Sequence, residues 1–467
     1  MTKDKVEKFD LTVIGSGPGG YVCAIRAAQL GLKVAIVEAE NLGGICLNWG
    51  CIPTKSLLRS AEIFHYIKNA KSFGLSAEIG EFTMKDIVKR SRDVVSQLTH
   101  GVSGLLKKNK VKVFRGFASF ISSSKIKIEG DDAGELNSTN FVIATGARPR
   151  VIKGLEPDGK NILTYKEAMV QDELPKSMIV VGSGAIGVEF ASFYNEMGTN
   201  VTLIETQDRI LPAEDGEISE FAKKTFEKQG MTIRTNAMLK SLDNSAAKVK
   251  AKFEIGAKTE EIEVDKVIMA VGVVPNTEKL NLDKVNVKLD KNNTIIVDDS
   301  MRTSTQNIFA IGDVTAGPWL AHKASHEAFI AAETVAKLST HKIKKNRIPS
   351  CTYSHPQVAS VGLTEDEAKK QGLNIKVGRF SFVGNGKALA LGESSGLMKI
   401  IIESNTGEIL GAHMIGAEVT ELISNIVLAM NLEATEEDLF NTIFPHPTLT
   451  EMIHESSLSA FDRAIHM

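Results

Sequence analysis

One pattern, present twice, constrains this chain more than anything else in it. The first copy reads Leu11-Thr-Val-Ile-Gly15-Ser-Gly17-Pro-Gly-Gly20, a short β-branched run that meets a glycine turn. A small-residue stretch at helical spacing follows, then a second apolar strand ending at Glu38. Met178-Ile-Val-Val-Gly182-Ser-Gly184-Ala-Ile-Gly187 repeats the arrangement and ends at Glu205, with the acid at the same offset from the first glycine. Strand, turn, helix and strand in this order predict a nucleotide-binding unit. Gly15 and Gly182 permit the tight turn, and Gly17 and Gly184 let backbone approach a pyrophosphate. Gly20 and Gly187 let helix pack closely on strand. Each helix N-terminus supplies N–H donors and partial positive charge for phosphates. A single glycine turn is as often structural as functional, but two complete copies, each closed by an acid, favour two dinucleotide sites. A flavin and a nicotinamide are the natural pair. Glu38 and Glu205 are expected to accept from ribose hydroxyls, and a carboxylate at Glu205 repels a 2′-phosphate, so NAD is favoured over NADP. Arg209 nearby could hold such a phosphate; the preferred reading is a surface arginine in a loop.

At 467 residues the chain exceeds one ordinary core, so several domains are expected. Lys+Arg 55 against Asp+Glu 57 leaves almost no net charge, which gives no whole-molecule attraction for nucleic acid or anionic lipid. No apolar run approaches the roughly 20 residues of a membrane span. The opening MTKDKVEKFDLTVIGSG has no secretory apolar region, and its acids do not suit an uncleaved transit peptide. A cytoplasmic protein is expected, although a processed organellar matrix form would read the same. Neither a nucleic-acid nor a membrane partner is expected, and no resident metal.

Four cysteines are too few for a disulfide scaffold. Two of them stand close together in Asn41-Leu-Gly43-Gly44-Ile-Cys46-Leu-Asn-Trp-Gly-Cys51-Ile-Pro53-Thr-Lys55. Residues five apart do not share a face of a regular helix, so Cys46 and Cys51 can meet only where the helix is distorted. Gly50 and Pro53 supply that opportunity. A metal site lacks further His or Cys ligands nearby. Two inert buried thiols are the other alternative, and that reading is assigned to Cys23 and Cys351. For Cys46 and Cys51 redox chemistry is preferred, helped by the lowered thiol pKa near a helix N-terminus.

The segment GGICLNWGCIPTK resembles the redox motif of the pyridine nucleotide–disulfide oxidoreductases, in particular their dihydrolipoamide dehydrogenase branch. The resemblance continues in order through Ala144-Thr-Gly-Ala-Arg-Pro149, the second glycine pattern, Ile308-Phe-Ala-Ile-Gly-Asp313, Trp319-Leu-Ala-His-Lys323 and Pro445-His-Pro-Thr-Leu-Thr-Glu451. It implies an FAD enzyme that reoxidises protein-bound dihydrolipoyl groups and reduces NAD. Cys46 is then the interchange thiol and Cys51 the charge-transfer thiol beside the flavin. Lys55 and Glu189 form an ion pair that tunes the flavin. His446 acts as acid and base, with Glu451 fixing its tautomer. Thr448-Leu-Thr-Glu451 also reads as a capping box, and the two roles of Glu451 are expected to exclude one another.

By the same resemblance FAD is lined by Gly15, Gly17, Gly20, Glu38, Gly43, Gly44, Cys46, Lys55, Ala118, Thr145, Gly146, Ala147, Asp313, Leu320, Ala321 and His322. NAD meets Gly182, Gly184, Ala185, Ile186, Gly187, Glu189, Glu205, Met238 and Gly272. A helix opening after Trp319 sets its positive end toward reduced flavin, and the rest of that helix is expected to be plain packing. Where the family commonly has an arginine after the glycine, this chain reads Gly272-Val-Val-Pro-Asn276.

The implied fold is α/β, with two Rossmann-like dinucleotide-binding domains and a C-terminal α+β dimerisation domain. The expected divisions are an FAD domain over residues 1–150, an NAD domain over 151–274, a return to the FAD domain over 275–345 and an interface domain over 346–467. A homodimer is implied, with His446 serving the cysteines of the other subunit. Lipoyl domains and the acyltransferase core of 2-oxo acid dehydrogenase complexes, or lipoylated H protein of glycine cleavage, are the implied partners. Glutathione- or trypanothione-reducing relatives favour NADPH, which Glu205 opposes. Mercuric and large thioredoxin reductases need a C-terminal redox pair that FDRAIHM lacks. A non-catalytic flavoprotein would not need the cysteine pair and His446.

Overall fold

A computed structural model describes residues 7–466; the expected first domain's opening residues 1–6 and the last domain's residue 467 lie outside it. The chain forms two compact units. One takes the chain as far as Thr54, then Lys89–Arg150 and Gly272–Ile343; the other takes Lys55–Val88, Val151–Val271 and the chain from Lys344 onward.

The first unit is organised by a seven-stranded sheet. Strand Lys8–Ile14 lies between Val34–Glu38 and Gly134–Ile143 and pairs in parallel with both. Parallel strands buried on both faces are apolar runs, and Val34–Glu38 is buried along its whole length and apolar up to its terminal acid. A later strand, Ile308–Ala310, joins the same sheet beside Gly134–Ile143, so the chain returns to it after a long excursion. Helices Pro18–Gln29 and Ala321–Val335 pack together on this sheet around Cys23, Ala24, Ala27, Ala328 and Ala331. Small residues permit the close approach: a Cβ on Gly19 would stand 3.2 Å from the Ala324 carbonyl. Arg26 and Glu333 close the far end of the contact with a 2.7 Å ion pair.

The second unit contains a five-stranded parallel sheet in the order Thr232–Arg234, Asn200–Ile204, Ser177–Val181, Lys266–Met269, Ile162–Leu163. A three-stranded antiparallel ribbon, Ala237–Asp243, Val249–Ile255 and Lys258–Val264, shares its core through Ala251, Phe253 and Val267. Beyond residue 344 an antiparallel five-stranded sheet runs Ser350–Thr352, Gln357–Gly362, Ile409–Gly416, Leu397–Glu403, Ile375–Ser381. Helices Val419–Asn431 and Glu451–Ser459 cover it and bury Ile423, Ile426, Met452 and Ile453. The fold is α/β, with two glycine-motif sheets and a C-terminal α+β region. No described helix is long and apolar enough to cross a membrane.

Candidate active site

The two glycine turns are built alike. Gly15 and Gly182 have φ near +98° and +96°, where an L side chain is strained, and a Cβ on either would lie within 2.5 Å of a neighbouring carbonyl. On Gly20 or Gly187 a Cβ would meet the Gly15 or Gly182 carbonyl at 2.0 and 1.9 Å. Gly17 and Gly184 are the opposite case, since nothing lies within 4 Å of an added Cβ. Each turn therefore packs hard against the sheet on one side and leaves its middle glycine open at a helix N-terminus, Pro18–Gln29 in one copy and Ala185–Glu196 in the other. Neither helix has an acid in its first turn. Such cradles fit a dinucleotide pyrophosphate. Ala185 and Ile186 open the second helix.

The terminal acids are preset by the protein. Glu38 Oε2 accepts from both the backbone N–H and the hydroxyl of Ser16, at 2.8 and 2.5 Å, and Oε1 accepts from the N–H of Glu40. Glu205 repeats this with Ser183 at 2.9 and 2.7 Å, and with Gln207 and Thr206 on its other oxygen. Burial pulls the Glu205 pKa upward, but these donors outweigh it and hold the carboxyl below its ordinary range. Ser16 and Ser183 were not singled out in the sequence, although their identical slots in the two copies carried the signal. Arg209 lies in a bend and is partly exposed, as the surface reading expects.

The cysteines stand against the first turn. Gly43 donates its N–H to the Ser16 carbonyl at 3.1 Å, and a Cβ on Gly44 would lie 2.6 Å from Gly17 Cα. A short helix, Gly44–Trp49, stops at Gly50, and the long helix Cys51–Lys68 begins at the next residue. The break at Gly50 lets Cys46 and Cys51 form a disulfide with their Cα atoms 4.8 Å apart. A side chain at Gly50 would crowd Cys46 Cα at 3.3 Å. Cys23 is buried, and burial pushes its thiol up to about 12. Cys351 is only partly buried, its thiol raised to about 11 by burial first and then by Glu214. Both thiols are therefore poor nucleophiles at neutral pH.

Elsewhere in the first unit, Thr145 sits beside Gly15 and donates to the Asn276 carbonyl, and Gly146 and Ala147 continue that loop. Ala118 is buried in the strand Phe117–Ser122. Gly272 adopts φ +96° and its carbonyl receives the Arg150 N–H. Asp313 occupies a tight turn, Gly312–Val314, and is pushed up to about 6 by burial, against the pull of Lys323. Leu320 caps the helix Ala321–Val335, with His322 in its first turn. The rest of this helix packs largely through its small residues, and it adds one polar contact to the turn. Glu327 accepts from the Gly312 N–H at 2.7 Å and lies 2.7 Å from Lys323 Nζ, close but not aligned as a hydrogen bond. A buried charge needs partners, and the turn amide supplies one.

In the second unit, Lys55 Nζ reaches both oxygens of Glu189, at 2.8 and 2.9 Å. Met238 is half-exposed on the strand Ala237–Asp243. His446 Nδ1 lies 2.9 Å from Glu451 Oε1, and the imidazole is 78% exposed. Glu451 Oε2 meanwhile accepts from the Thr448 N–H at 2.9 Å. The expected conflict between its two roles is thus corrected: a carboxylate has two oxygens, and each takes one partner. Burial works against the charged form of Glu451, but Thr448 and His446 hold its pKa low. The capping box itself is only half built: Glu451 caps the Thr448 amide, but the helix starts after Thr450, and the Thr448 hydroxyl donates to the Pro445 carbonyl. Tyr353, absent from the sequence reading, touches both members of the Lys55–Glu189 pair.

Residues 9–328 match the family described as pyridine nucleotide-disulphide oxidoreductase, and residues 348–457 match its dimerisation domain. A dihydrolipoyl dehydrogenase of Rhizobium etli is 49% identical over 98% of this chain and 99% of its own length. The Bacillus subtilis protein of that name is 43% identical over 98% and 99%. Among solved structures, LpdA from Mycobacterium tuberculosis matches with a TM-score of 0.90 at 26% identity, covering 97% of this chain and 99% of that one.

Proposed function

This chain belongs to the pyridine nucleotide-disulphide oxidoreductases, and on that footing we propose that it works as a dihydrolipoyl dehydrogenase, oxidising protein-bound dihydrolipoyl groups and reducing NAD. The observation that carries the reading is the Cys46–Cys51 disulfide, docked backbone to backbone on the first glycine turn. When bound there, a flavin supplies a two-electron relay that ends in hydride transfer to NAD.

The chain's own part is thiol exchange and proton handling. A substrate thiolate attacks Cys46 Sγ and releases Cys51 as thiolate; the second substrate thiol then attacks the mixed disulfide and frees Cys46. His446 takes up the released proton, and Glu451 accepts from its Nδ1–H so that Nε2 faces the substrate. Lys55 and Glu189 set the charge beside the redox centre. Glu38 and Glu205 orient ribose hydroxyls, and the glycine turns with Thr145, Asp313 and the start of the helix Ala321–Val335 hold the cofactors.

The domain division follows the same reading: FAD over 1–150 and 275–345, NAD over 151–274, and an interface over 346–467. The match to a dimerisation domain supports a homodimer in which His446 serves the partner's disulfide. Lipoyl domains on an acyltransferase core, or lipoylated H protein, are the substrates in the cell, and the cytoplasm is the expected location.

Cys46→Ser and Cys51→Ser decide the matter. The wild-type protein should reduce NAD with dihydrolipoamide, and each variant should keep its flavin and fall to background turnover. Normal turnover in either variant removes the disulfide from the reaction and the proposal with it.

A further inference from the structure

The pair Lys55–Glu189 does not stand alone. Tyr353 follows the strand Ser350–Thr352, and its backbone N–H donates to Glu189 Oε1 at 2.9 Å. Two residues on, the His355 N–H donates to Ser192 Oγ at 3.0 Å. Glu189 and Ser192 are three apart on the helix Ala185–Glu196, hence neighbours on one face, and the bend that follows Thr352 presents the amides of residues 353 and 355 to that face. Backbone alone therefore fixes residue 353 against this helix, whatever its side chain.

The side chain has a separate task. Lys55 Nζ sits 4.3 Å from the centroid of the Tyr353 ring, so the ammonium is held between a carboxylate and an aromatic face. Glu189 is buried and takes its three donors from Lys55, twice, and from Tyr353. Burial, and then Cys351 and Glu189, push the Tyr353 phenol up to about 12, so the ring stays uncharged wherever the enzyme would work. The direction in which Lys55 presents its charge is set by both contacts.

We propose that Tyr353 is a positioning residue: its ring face fixes the Lys55 ammonium, and through it the charge set beside the redox centre, without touching substrate. The inference rests on the functional reading above in giving Lys55 that role.

The test places Tyr353→Leu and Tyr353→Phe in wild-type and Lys55→Met backgrounds, and measures flavin midpoint potential beside kcat and KM. Tyr353→Phe keeps the ring and should stay within about twofold of wild type. Tyr353→Leu keeps the amide but loses the ring. It should shift the potential in the same sense as Lys55→Met and lower kcat roughly 3- to 30-fold, the span of one cation–π contact, with KM for dihydrolipoamide unchanged. In the Lys55→Met background it should add no further shift. An unchanged potential in the wild-type background, or the same shift in both, overturns the proposal. Should the leucine variant fail to fold, pentafluorophenylalanine at position 353 preserves the shape while reversing the ring's attraction, and the same two outcomes apply. A wild-type protein inactive with dihydrolipoamide would sink the functional reading alone, because the potentials still test the ring.

Discussion

At the scale of single residues, Glu451 divides its oxygens between an imidazole and a backbone amide. Glu451→Gln offers one acceptor where two are used, so His446 and Thr448 must compete for it. We expect kcat with dihydrolipoamide to fall roughly 10- to 100-fold, and His446→Gln to cost more, roughly 10²- to 10⁴-fold, the usual reach of a positioned acid or base. Steady-state rates at equal flavin content check both. What sequence could say of these residues followed how local their demands are. Gly15 and Gly182 were legible because a turn that places a Cβ within 2.5 Å of a carbonyl admits nothing else. His446 and Glu451 were legible through their motif, but the sharing of the carboxylate was not, since a spacing does not say which oxygen points where. Tyr353 was invisible: its partners Lys55 and Glu189 lie far away in the chain, and only folding brings a ring beneath the ammonium.

Among elements, the helices Cys51–Lys68 and Ala185–Glu196 are joined at two levels, by Lys55–Glu189 and, further along both, by His65 Nδ1 to Glu196 Oε1 at 3.0 Å. The His355 ring lies 4.7 Å from that of His65. The Glu196 hydrogen bond raises the His65 pKa above its ordinary 6.5, outweighing burial. A raised value means that the stabilisation is complete below 6.5 and is lost as pH climbs through the folded value. Glu196 is held low despite burial, so its share is lost only in acid. His65→Gln should therefore lower stability by about 1 kcal/mol at pH 6 and by clearly less at pH 9, read from urea midpoints. A deficit that does not change with pH would separate His65 from this bond. The helix Ala185–Glu196 was legible from its glycine start and helical spacing, and a helix near Cys51 from the distortion that Gly50 and Pro53 allow. Their second clasp was not, because a histidine and a glutamate 131 residues apart carry no mutual signature.

For the whole molecule, the parallel sheets and the antiparallel C-terminal region were legible as a class, whereas the return of Ile308–Ala310 to a sheet begun at Lys8–Ile14 came only from resemblance. Burial of charge was missed altogether. Lys399 is 2% exposed and reaches Asp215, Glu217 and Glu365 at 2.8 to 3.0 Å, while Arg379 braces the last two. This knot ties the strand Leu397–Glu403 to the helix Gly216–Lys228. Lys399→Met strands the Asp215 carboxylate, 3% exposed, without its cation and should cost about 3–5 kcal/mol, visible as a lowered thermal midpoint. Burial opposes the charge on Glu365, but Lys369, Lys399 and Arg379 bring it down to about 2. Its contribution is present above the ordinary 4.5 and drains away as pH falls from there through about 2, so the variant and the parent should converge in strong acid. The duplicated latch of Ser16 on Glu38 and Ser183 on Glu205 has a further meaning. Each acid is held in place by its serine, ready on the proposed reading to meet a ribose, and the aiming hydroxyl can be deleted without disturbing a glycine. With one wiring diagram installed at two addresses, damage at one address has its control experiment at the other, inside the same polypeptide.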